Sequence, residues 1–419
     1  VATRTASCIV LKSSMTLRRY RPRCSSSRWF RTATTCLVVA TSPTYWISHP
    51  LAYAFASPYS SSFPKKLFTA KTNDCTSFTT HSSLSELLRE FDYDALILDQ
   101  FGVLHNGKYA LEGTIECVET IAKGKPKNGS EAPKKKLKLI VLSNTSSPAQ
   151  TTLDRLRTKL GFDESCFCGA VTSGEEAARH IRNVYGNDPS KIKKFVWCTW
   201  DVTNENVPDP TAFLELCGPN VVPTVDVTEA DFVVAHGSGA IRGEDQVIRS
   251  MGSFLDDGNL SQGTPISDLL EQCADQKLPL ICANPDMVVQ YHDGSLKHMP
   301  GKIALRYREI LEERDSTVSI TIYGKPHTEH FEACLRELEE QRPESSKQSP
   351  LKVAHVGDSL HHDIAGANAA GIPSIFIIGG IHAEELISEK DSRVSEERLK
   401  EFFAKEGITP THVLPVFQY

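Results

Sequence analysis

The chain has 419 residues, of which 40% are hydrophobic and 23% charged. This is the composition of a soluble globular protein long enough for two domains. The formal net charge is −6, and residues 1–73 contain eleven Lys or Arg but no Asp or Glu, so the rest of the chain is more acidic still. An acidic body excludes a general nucleic-acid-binding protein.

Residues 1–83 are predicted to be a largely disordered organelle-targeting leader, rich in Ser, Thr and Arg. Its apolar stretch is interrupted by Pro43 and Pro50, which argues against a membrane span. The stretch ends in Ala52-Tyr53-Ala54, a cleavage pattern, followed by Phe55. Such leaders resemble those of proteins sent to complex plastids. We therefore expect a plastid protein, with the mitochondrion as the alternative, and a cytoplasmic one if the leader is not real.

From residue 84 the sequence alternates helices and strands. "SLSELLREF" predicts a helix, "DALILD" a buried strand, "GTIECVETIAK" a helix, "LKLIVLSN" a second buried strand and "SPAQTTLDRLRTKLG" a further helix. Further along the chain, "VSITIYG", "LKVAHVGD" and "PSIFIIGG" predict strands separated by helical segments. Alternating apolar strands and helices predict an α/β fold, with a Rossmann-like parallel sheet covered by helices on both faces.

The long interval between the strands "LKLIVLSN" and "VSITIYG" has its own strands and helices, including "KKFVWCTW" and "ADFVVAHGS". It is long enough to form a domain. We predict the first part of the core over 84–171, an inserted α/β cap over 172–298, and the second part of the core over 299–419.

Polar side chains follow four of the predicted strands. Asp99 ends the first strand, Ser143 and Asn144 end the second, and Lys325 and Asp358 end two later ones. Because ligands of open α/β sheets bind beyond the carboxyl ends of the strands, we expect these groups to converge. Taken singly, each has a plainer interpretation, such as a helix cap, a turn residue or a surface lysine.

A carboxylate such as Asp99 can attack phosphorus and form an aspartyl-phosphate. A phosphate dianion repels that carboxylate, so the site needs positive charge, which Mg²⁺ bound by hard oxygen ligands supplies. We expect Asp99 and Asp358 to bind Mg²⁺, with Asp363 holding a metal-bound water or orienting Lys325. The Lys325 ammonium supplies a fixed positive charge to the phosphate and the nucleophile.

The second strand end is predicted to bind phosphate together with Lys325. Ser143 offers a hydroxyl, and the backbone N–H groups around Asn144 offer donors for phosphate oxygens. In the insert, Asn284 and Asp286 of "ANPD" either orient the cap or contact the substrate, and a purely structural turn is the alternative.

Four motifs occur in a familiar order: D-x-x-G-V-L from Asp99, S-N-T from Ser143, G-K-P around Lys325 and G-D-S-x-x-x-D around Asp358. They resemble the motifs of the haloacid dehalogenase (HAD) superfamily. The insert, with "ANPD" and "PGKIALRYREI", resembles that of class IIA, the branch of NagD-like and 4-nitrophenylphosphatase-like enzymes. The resemblance implies a Rossmann-like core, an α/β cap, Mg²⁺ and phosphate-ester hydrolysis.

The sequence departs from this pattern at Phe101. Phosphatases of the superfamily have an Asp there, which protonates the leaving oxygen and later activates water. Loss of general acid–base help costs typically ~10²–10⁴-fold in rate. The backbone carbonyl of Phe101 still matches the family's metal-binding carbonyl. The combination of an aromatic residue here with an otherwise intact site resembles an uncharacterised subgroup of the same class.

The leading hypothesis is a Mg²⁺-dependent hydrolase of small phosphorylated metabolites that acts through an aspartyl-phosphate at Asp99. An activated leaving group or substrate-assisted protonation would compensate for Phe101. One alternative is a catalytically impaired protein that binds a phosphorylated ligand or a partner. Another is a non-phosphate hydrolase of the dehalogenase type. We expect no nucleic-acid or membrane partner, and the sequence leaves a homodimer open.

Overall fold

The computed structural model describes residues 77–126, 131–201, 209–243, 248–290, 295–387 and 394–419. Nearly all of the predicted leader, including its cleavage pattern, lies outside the described residues. The predicted boundary at residue 83 is too late, because Thr79–Thr80 already form a strand of the folded body. None of the described helices is long and apolar enough to cross a membrane.

The first sheet has seven parallel strands. They are β1 (Thr79–Thr80), β2 (Ala95–Leu98), β3 (Lys138–Ser143), β4 (Gly169–Thr172), β14 (Val353–Gly357), β15 (Ser374–Ile377) and β16 (His412–Leu414). Their order across the sheet is β1-β16-β15-β14-β2-β3-β4. Strand β2 therefore lies in the interior of the sheet between β14 and β3, and the predicted α/β parallel-sheet fold is confirmed.

Among the described residues, seven helices belong to this core: α1 (Leu84–Glu90), α2 (Thr114–Lys123), α3 (Ala149–Leu160), α9 (Thr328–Glu340), α10 (Ala365–Ala369), α11 (Ala383–Leu386) and α12 (Glu396–Glu406). Side chains of β2 alternate between the two faces. Leu96 and Leu98 pack with α1, α2 and α3, whereas Ala95 and Ile97 pack with α9 and α10. Burial on both faces explains why β2 is a continuous apolar run.

The second sheet is mixed and lies in the insert. Its strands are β5 (Lys193–Thr199), β6 (Val221–Thr224), β7 (Phe232–Ala235), β8 (Ala240–Arg242), β9 (Ile248–Ser250), β10 (Leu280–Cys282) and β13 (Ile320–Ile322). An antiparallel ribbon, β11 (Val288–Gln290) and β12 (Leu296–His298), follows β10. In the part of the insert that the structure describes, five helices accompany this sheet: α4 (Ser173–Val184), α5 (Thr211–Cys217), α6 (Phe254–Asp257), α7 (Pro265–Asp275) and α8 (Pro300–Glu313).

The insert extends further than the predicted boundary at residue 298. Ile320–Ile322 pair in parallel with Leu280–Cys282 of the second sheet, and α8 packs on that sheet through Ile303 and Tyr307. The sequence pattern had suggested that the segment before Lys325 is a strand of the core sheet. It is instead a strand of the second sheet. Lys325 enters the core from the last strand of the insert.

Candidate active site

The Asp99 carboxylate lies at the carboxyl end of the interior strand β2. All four residues of β2 are fully buried, and the backbone N–H of Asp99 donates to the carbonyl of Val356 at 2.9 Å. This bond extends the pairing of β2 with β14 by one residue. The carboxylate is buried but not sealed, since Asp99 retains 9% of its exposure. The sequence prediction placed the residue here.

Lys325 joins two carboxylates through its ammonium group. Its Nζ lies 2.6 Å from Asp99 Oδ1 and 2.7 Å from Asp363 Oδ1, and all three side chains are buried. Burial alone would lower the pKa of Lys325, but the charges of Asp363 and Asp99 outweigh it and raise that pKa. Lys325 is therefore a permanent cation beside the Asp99 carboxylate.

His355 is a site residue that the sequence reasoning missed. It is fully buried on β14, and its Nε2 lies 2.9 Å from Asp363 Oδ1. Burial lowers the pKa of this imidazole, so the neutral ring donates its Nε2–H to the carboxylate. The signal available in the sequence was one histidine inside the apolar run "VAHVG".

Asp99, Asp358 and Asp363 bring three carboxylates together, each offering an oxygen within 4.8 Å of the others. Burial raises the pKa of Asp99 from 3.8 to about 7 and raises that of Asp358 well above its ordinary value, with neighbouring carboxylates adding to both shifts. For Asp363, burial acts in the same direction, but Lys325 and His355 prevail and lower its pKa.

Within the described residues, this cluster holds three carboxylates and one permanent cation, Lys325, which forms ion pairs with Asp99 and Asp363. Such a surplus of buried negative charge is unfavourable unless protons or a cation offset it. Oxygen ligands at this spacing suit a hard divalent ion such as Mg²⁺. The donor set of Asp99, Asp358 and Asp363 therefore fits the predicted metal.

Glycine is required where the turn after β2 passes Asp358. Gly102 has a φ of +78°, and a Cβ at this position would overlap the Asp358 carboxylate. A Cβ at Gly380 would overlap the same side chain. On that side the backbone N–H of Ile381 donates to Asp358 Oδ2 at 2.8 Å. The two glycines let backbone close around Asp358 and fix its position.

Phe101 lies in this turn, with its ring turned toward the hairpin that follows. The ring packs edge-on against His105, with 5.7 Å between centroids, and its edge lies close to Gly107. The hydrogen bonds that close the turn are accepted by the carbonyls of Gln100 and His105. None of these turn hydrogen bonds uses the carbonyl of Phe101, which is the predicted metal ligand. The ring is partly exposed and carries no group that could transfer a proton.

Ser143 and Asn144 end β3, next to β2. Register pairs Leu98 with Val141, so Ser143 lies beside the end of β2 as predicted. The Ser143 Oγ accepts from the Thr145 N–H at 3.3 Å. The Asn144 carboxamide points elsewhere: its Oδ1 accepts from the Lys325 N–H at 2.7 Å. A phosphate contact by Asn144 would therefore use its backbone N–H and not its side chain, which agrees with the prediction from the sequence.

The "ANPD" segment of the insert meets the core at this loop. Asn284 is buried, and its Oδ1 accepts from the Asp286 N–H at 2.9 Å, forming a tight turn. Asp286 Oδ1 accepts from Asn144 Nδ2 at 2.8 Å and lies 3.5 Å from His362 Nδ1. Asn284 thus has a structural role here, and Asp286 is the residue that contacts the core.

Two family models match the chain, one from β2 into the first part of the insert and one from the end of the insert through the second part of the core. One described as haloacid dehalogenase-like hydrolase matches residues 96–203, and one described as HAD-hydrolase-like matches residues 322–401. The first range contains Asp99 and Ser143, and the second contains Lys325, Asp358 and Asp363. No curated protein matches the sequence.

The chain is similar to several solved structures, and two with TM-scores above 0.5 share its fold. A hydrolase of the haloacid dehalogenase-like family from Brucella suis 1330 is 24% identical, over 80% of this chain and 99% of its own, with a TM-score of 0.52. A "possible sugar phosphatase" of the HAD superfamily from Cytophaga hutchinsonii ATCC 33406 is 16% identical, over 82% of this chain and 99% of its own, with a TM-score of 0.55. NagD from E. coli K-12 is 18% identical, over 78% and 98%, with a TM-score of 0.46.

Proposed function

Because the chain belongs to the haloacid dehalogenase-like hydrolases, we propose that it is a Mg²⁺-dependent phosphohydrolase of small phosphorylated metabolites. We also propose that it belongs to the NagD-like branch, since its insert lies between the second and third motifs. The observation that carries the proposal is the buried Asp99 carboxylate, held 2.6 Å from Lys325 beside two further carboxylates.

In the proposed reaction Asp99 Oδ attacks phosphorus, and the bond to the leaving oxygen breaks as the aspartyl-phosphate forms. Water then attacks that phosphorus and releases inorganic phosphate and the free carboxylate. Lys325 holds positive charge next to both Asp99 and the incoming phosphate. Asp99, Asp358 and the Phe101 carbonyl would bind Mg²⁺ directly, and Asp363 would bind it indirectly. The bound ion would supply the positive charge that offsets repulsion between the phosphate and the nucleophile.

Phe101 restricts the leaving group. With no carboxylic acid at this position, the leaving oxygen departs as an anion or takes its proton from the substrate itself. Phosphates with weakly basic leaving groups, such as acyl and aryl phosphates, tolerate this best. The same residue favours a second candidate function: a protein that binds a phosphorylated ligand without turning it over.

One experiment separates the two functions. Hydrolysis of acetyl phosphate and p-nitrophenyl phosphate is measured for residues 77–419 with Mg²⁺ and with EDTA. Turnover that requires Mg²⁺ supports the hydrolase. Binding of Mg²⁺ and orthovanadate without any turnover supports the ligand-binding protein, and turnover that is unchanged by EDTA would contradict the proposed dependence on Mg²⁺.

Restoring the acid is expected to raise activity on poor leaving groups. Phe101→Asp should increase kcat for an alkyl phosphate such as glycerol phosphate by ~10²-fold or more, and that for acetyl phosphate much less. Phe101→Asn is the matched control, since it is polar and similar in size but cannot transfer a proton. An equal gain in both variants would show that removing the ring, and not adding the acid, relieves the limitation.

The stabilisation by Mg²⁺ is expected to grow with pH. The pKa of Asp99 rises from 3.8 in the unfolded chain to about 7 in the fold. Between these values the folded state retains a proton that the unfolded state has lost, so the metal-free protein loses stability as pH rises through this window. Bound Mg²⁺ replaces the protons, so its increment should be larger at pH 8 than at pH 5.

Urea unfolding at both pH values, with and without Mg²⁺, measures this increment. Asp358→Asn is the control, because it removes a carboxylate from the cluster and should flatten the dependence. Equal increments at pH 5 and pH 8 in the wild-type protein would contradict the assignment of the cation to these carboxylates.

A further inference from the structure

The Asp286 carboxylate connects the insert to two loops of the core. Its Oδ1 accepts from Asn144 Nδ2, in the loop after β3, at 2.8 Å. The same oxygen lies 3.5 Å from Nδ1 of His362, in the segment between β14 and α10 that also carries Asp358 and Asp363. One carboxylate oxygen of the insert therefore contacts the loops that carry the predicted phosphate and metal ligands.

Both the oxygen and the nitrogen of the Asn144 carboxamide form hydrogen bonds. Its Oδ1 accepts from the Lys325 N–H at 2.7 Å, and its Nδ2 donates to Asp286 Oδ1 and, at 3.3 Å, to the Lys325 carbonyl. The orientation of the amide is fixed because only its oxygen can accept from the Lys325 N–H. The side chain is buried, so each of these bonds matters. The group that fixes the Lys325 backbone is thus the group that binds Asp286.

Close packing supports this arrangement from both sides. Gly324 has a φ of +122°, and a Cβ there would approach Asn144 Oδ1 and the Pro285 ring. The turn that presents Asp286 is closed by Asn284 Oδ1, and the Asp286 carbonyl accepts from the Gly301 N–H at 3.1 Å, at the start of α8. Contacts within the insert therefore fix the position of Asp286 independently of its contacts with the core.

We propose that Asp286 is a positioning residue that fixes Lys325 through the Asn144 carboxamide, and that it does not recognise the leaving group. The inference rests on the proposed function, since it concerns the lysine of that site. Asp286 and Lys325 both belong to the segment between β10 and α9, while Asn144 belongs to the core. The position of the insert on the core thereby determines the position of the Lys325 ammonium beside Asp99.

Substrate size separates positioning from recognition. Acetyl phosphate has a small leaving group and p-nitrophenyl phosphate a large one. If Asp286 positions Lys325, Asp286→Ala should lower kcat for both substrates by the same factor, on the order of 10–100-fold, as expected for a lost buried charged hydrogen bond. A rise in KM for p-nitrophenyl phosphate alone, with acetyl phosphate unaffected, would show that Asp286 binds the leaving group and would overturn the proposal.

A reciprocal exchange tests the contact itself. Asn144→Asp places a second carboxylate against Asp286, and kcat should fall by about 100-fold or more. Adding Asp286→Asn restores one donor and one acceptor across the contact and should recover about 10-fold of that loss. No recovery in the double variant would overturn the proposal. Asp275→Asn, an exposed aspartate of the insert paired with Arg314, is the control and should leave kinetics unchanged.

A binding measurement keeps this test independent of turnover. Affinity for orthovanadate in Mg²⁺ is measured by isothermal titration calorimetry for the same variants, after circular dichroism has shown that each is folded. If the wild-type protein hydrolyses neither substrate, the proposed function fails. The positioning role then stands only if affinity falls in Asn144→Asp and recovers in the double variant, and equal affinities in all variants overturn it.

Discussion

Asp99→Asn is expected to lower kcat by on the order of 10⁴–10⁶-fold, as removal of a catalytic nucleophile does in other hydrolases. The carboxamide is nearly the same size as the carboxylate but cannot form an aspartyl-phosphate. Stability should not fall, because the change removes one of three buried carboxylates while Lys325 keeps its contact with Asp363. Loss of activity in a protein at least as stable as wild type would thus separate a chemical role from a structural one.

The measurement is initial-rate hydrolysis of acetyl phosphate, combined with intact mass after acid quench. The wild-type protein should show a phosphorylated species that Asp99→Asn lacks. Asp154→Asn, on the exposed face of α3, is the control and should behave as wild type. Phosphorylation that persists in Asp99→Asn would assign the nucleophile to another residue.

Lys325→Met is expected to lower the free energy of unfolding by ~3–5 kcal/mol in the absence of divalent cations, as breaking a buried ion pair typically does. Methionine has a similar length but leaves Asp99 and Asp363 without their shared cation. These carboxylates can take up protons, so the loss should be smaller at pH 5 than at pH 8. Activity should be lost as well.

Urea unfolding at both pH values checks this result. Lys352→Met is the matched control: Lys352 pairs with Asp92 but is 58% exposed, so its replacement should change stability by at most ~1 kcal/mol. Equal losses in the two variants would mean that the buried network contributes no more than a surface pair.

Much of the site was predictable because it lies next to strong local signals. Asp99 and Asp358 each follow a buried strand, and Gly102 and Gly107 mark the turn after Asp99. Parallel pairing of β2 with β14 and β3 then brings the ends of these strands to the same edge of the sheet. A short buried strand with a polar residue at its end carries this information in a few consecutive residues.

The sheet to which a strand belongs was less predictable. Ile320–Ile322 form a short apolar run like those of the core, but they pair with Leu280–Cys282 in the insert. The choice of partner depends on residues some forty positions away, which the local pattern does not contain. The short strand Thr79–Thr80 was missed for the same reason, since its partner is His412–Leu414 at the other end of the chain.

Some tertiary contacts of polar side chains were missed, although the contacts of Lys325 with Asp99 and Asp363 were predicted. The S-N-T motif predicted phosphate donors only among the backbone N–H groups around Asn144, and it gave no sign that the Asn144 carboxamide binds the Lys325 backbone and Asp286. His355 has no motif of its own, and only the fold brings it to Asp363. Such bonds depend on side-chain direction, which spacing along the sequence does not fix.

The position of Lys325 directly after β13 has a consequence for domain exchange between related proteins. The lysine beside the Asp99 carboxylate is transferred with the insert and not with the sheet that carries Asp99. A chimera joined at residue 298 would separate β13 from β10 and leave an unpaired strand edge. Recombination between Pro326 and Thr328, at the start of α9, transfers the strand and its lysine together.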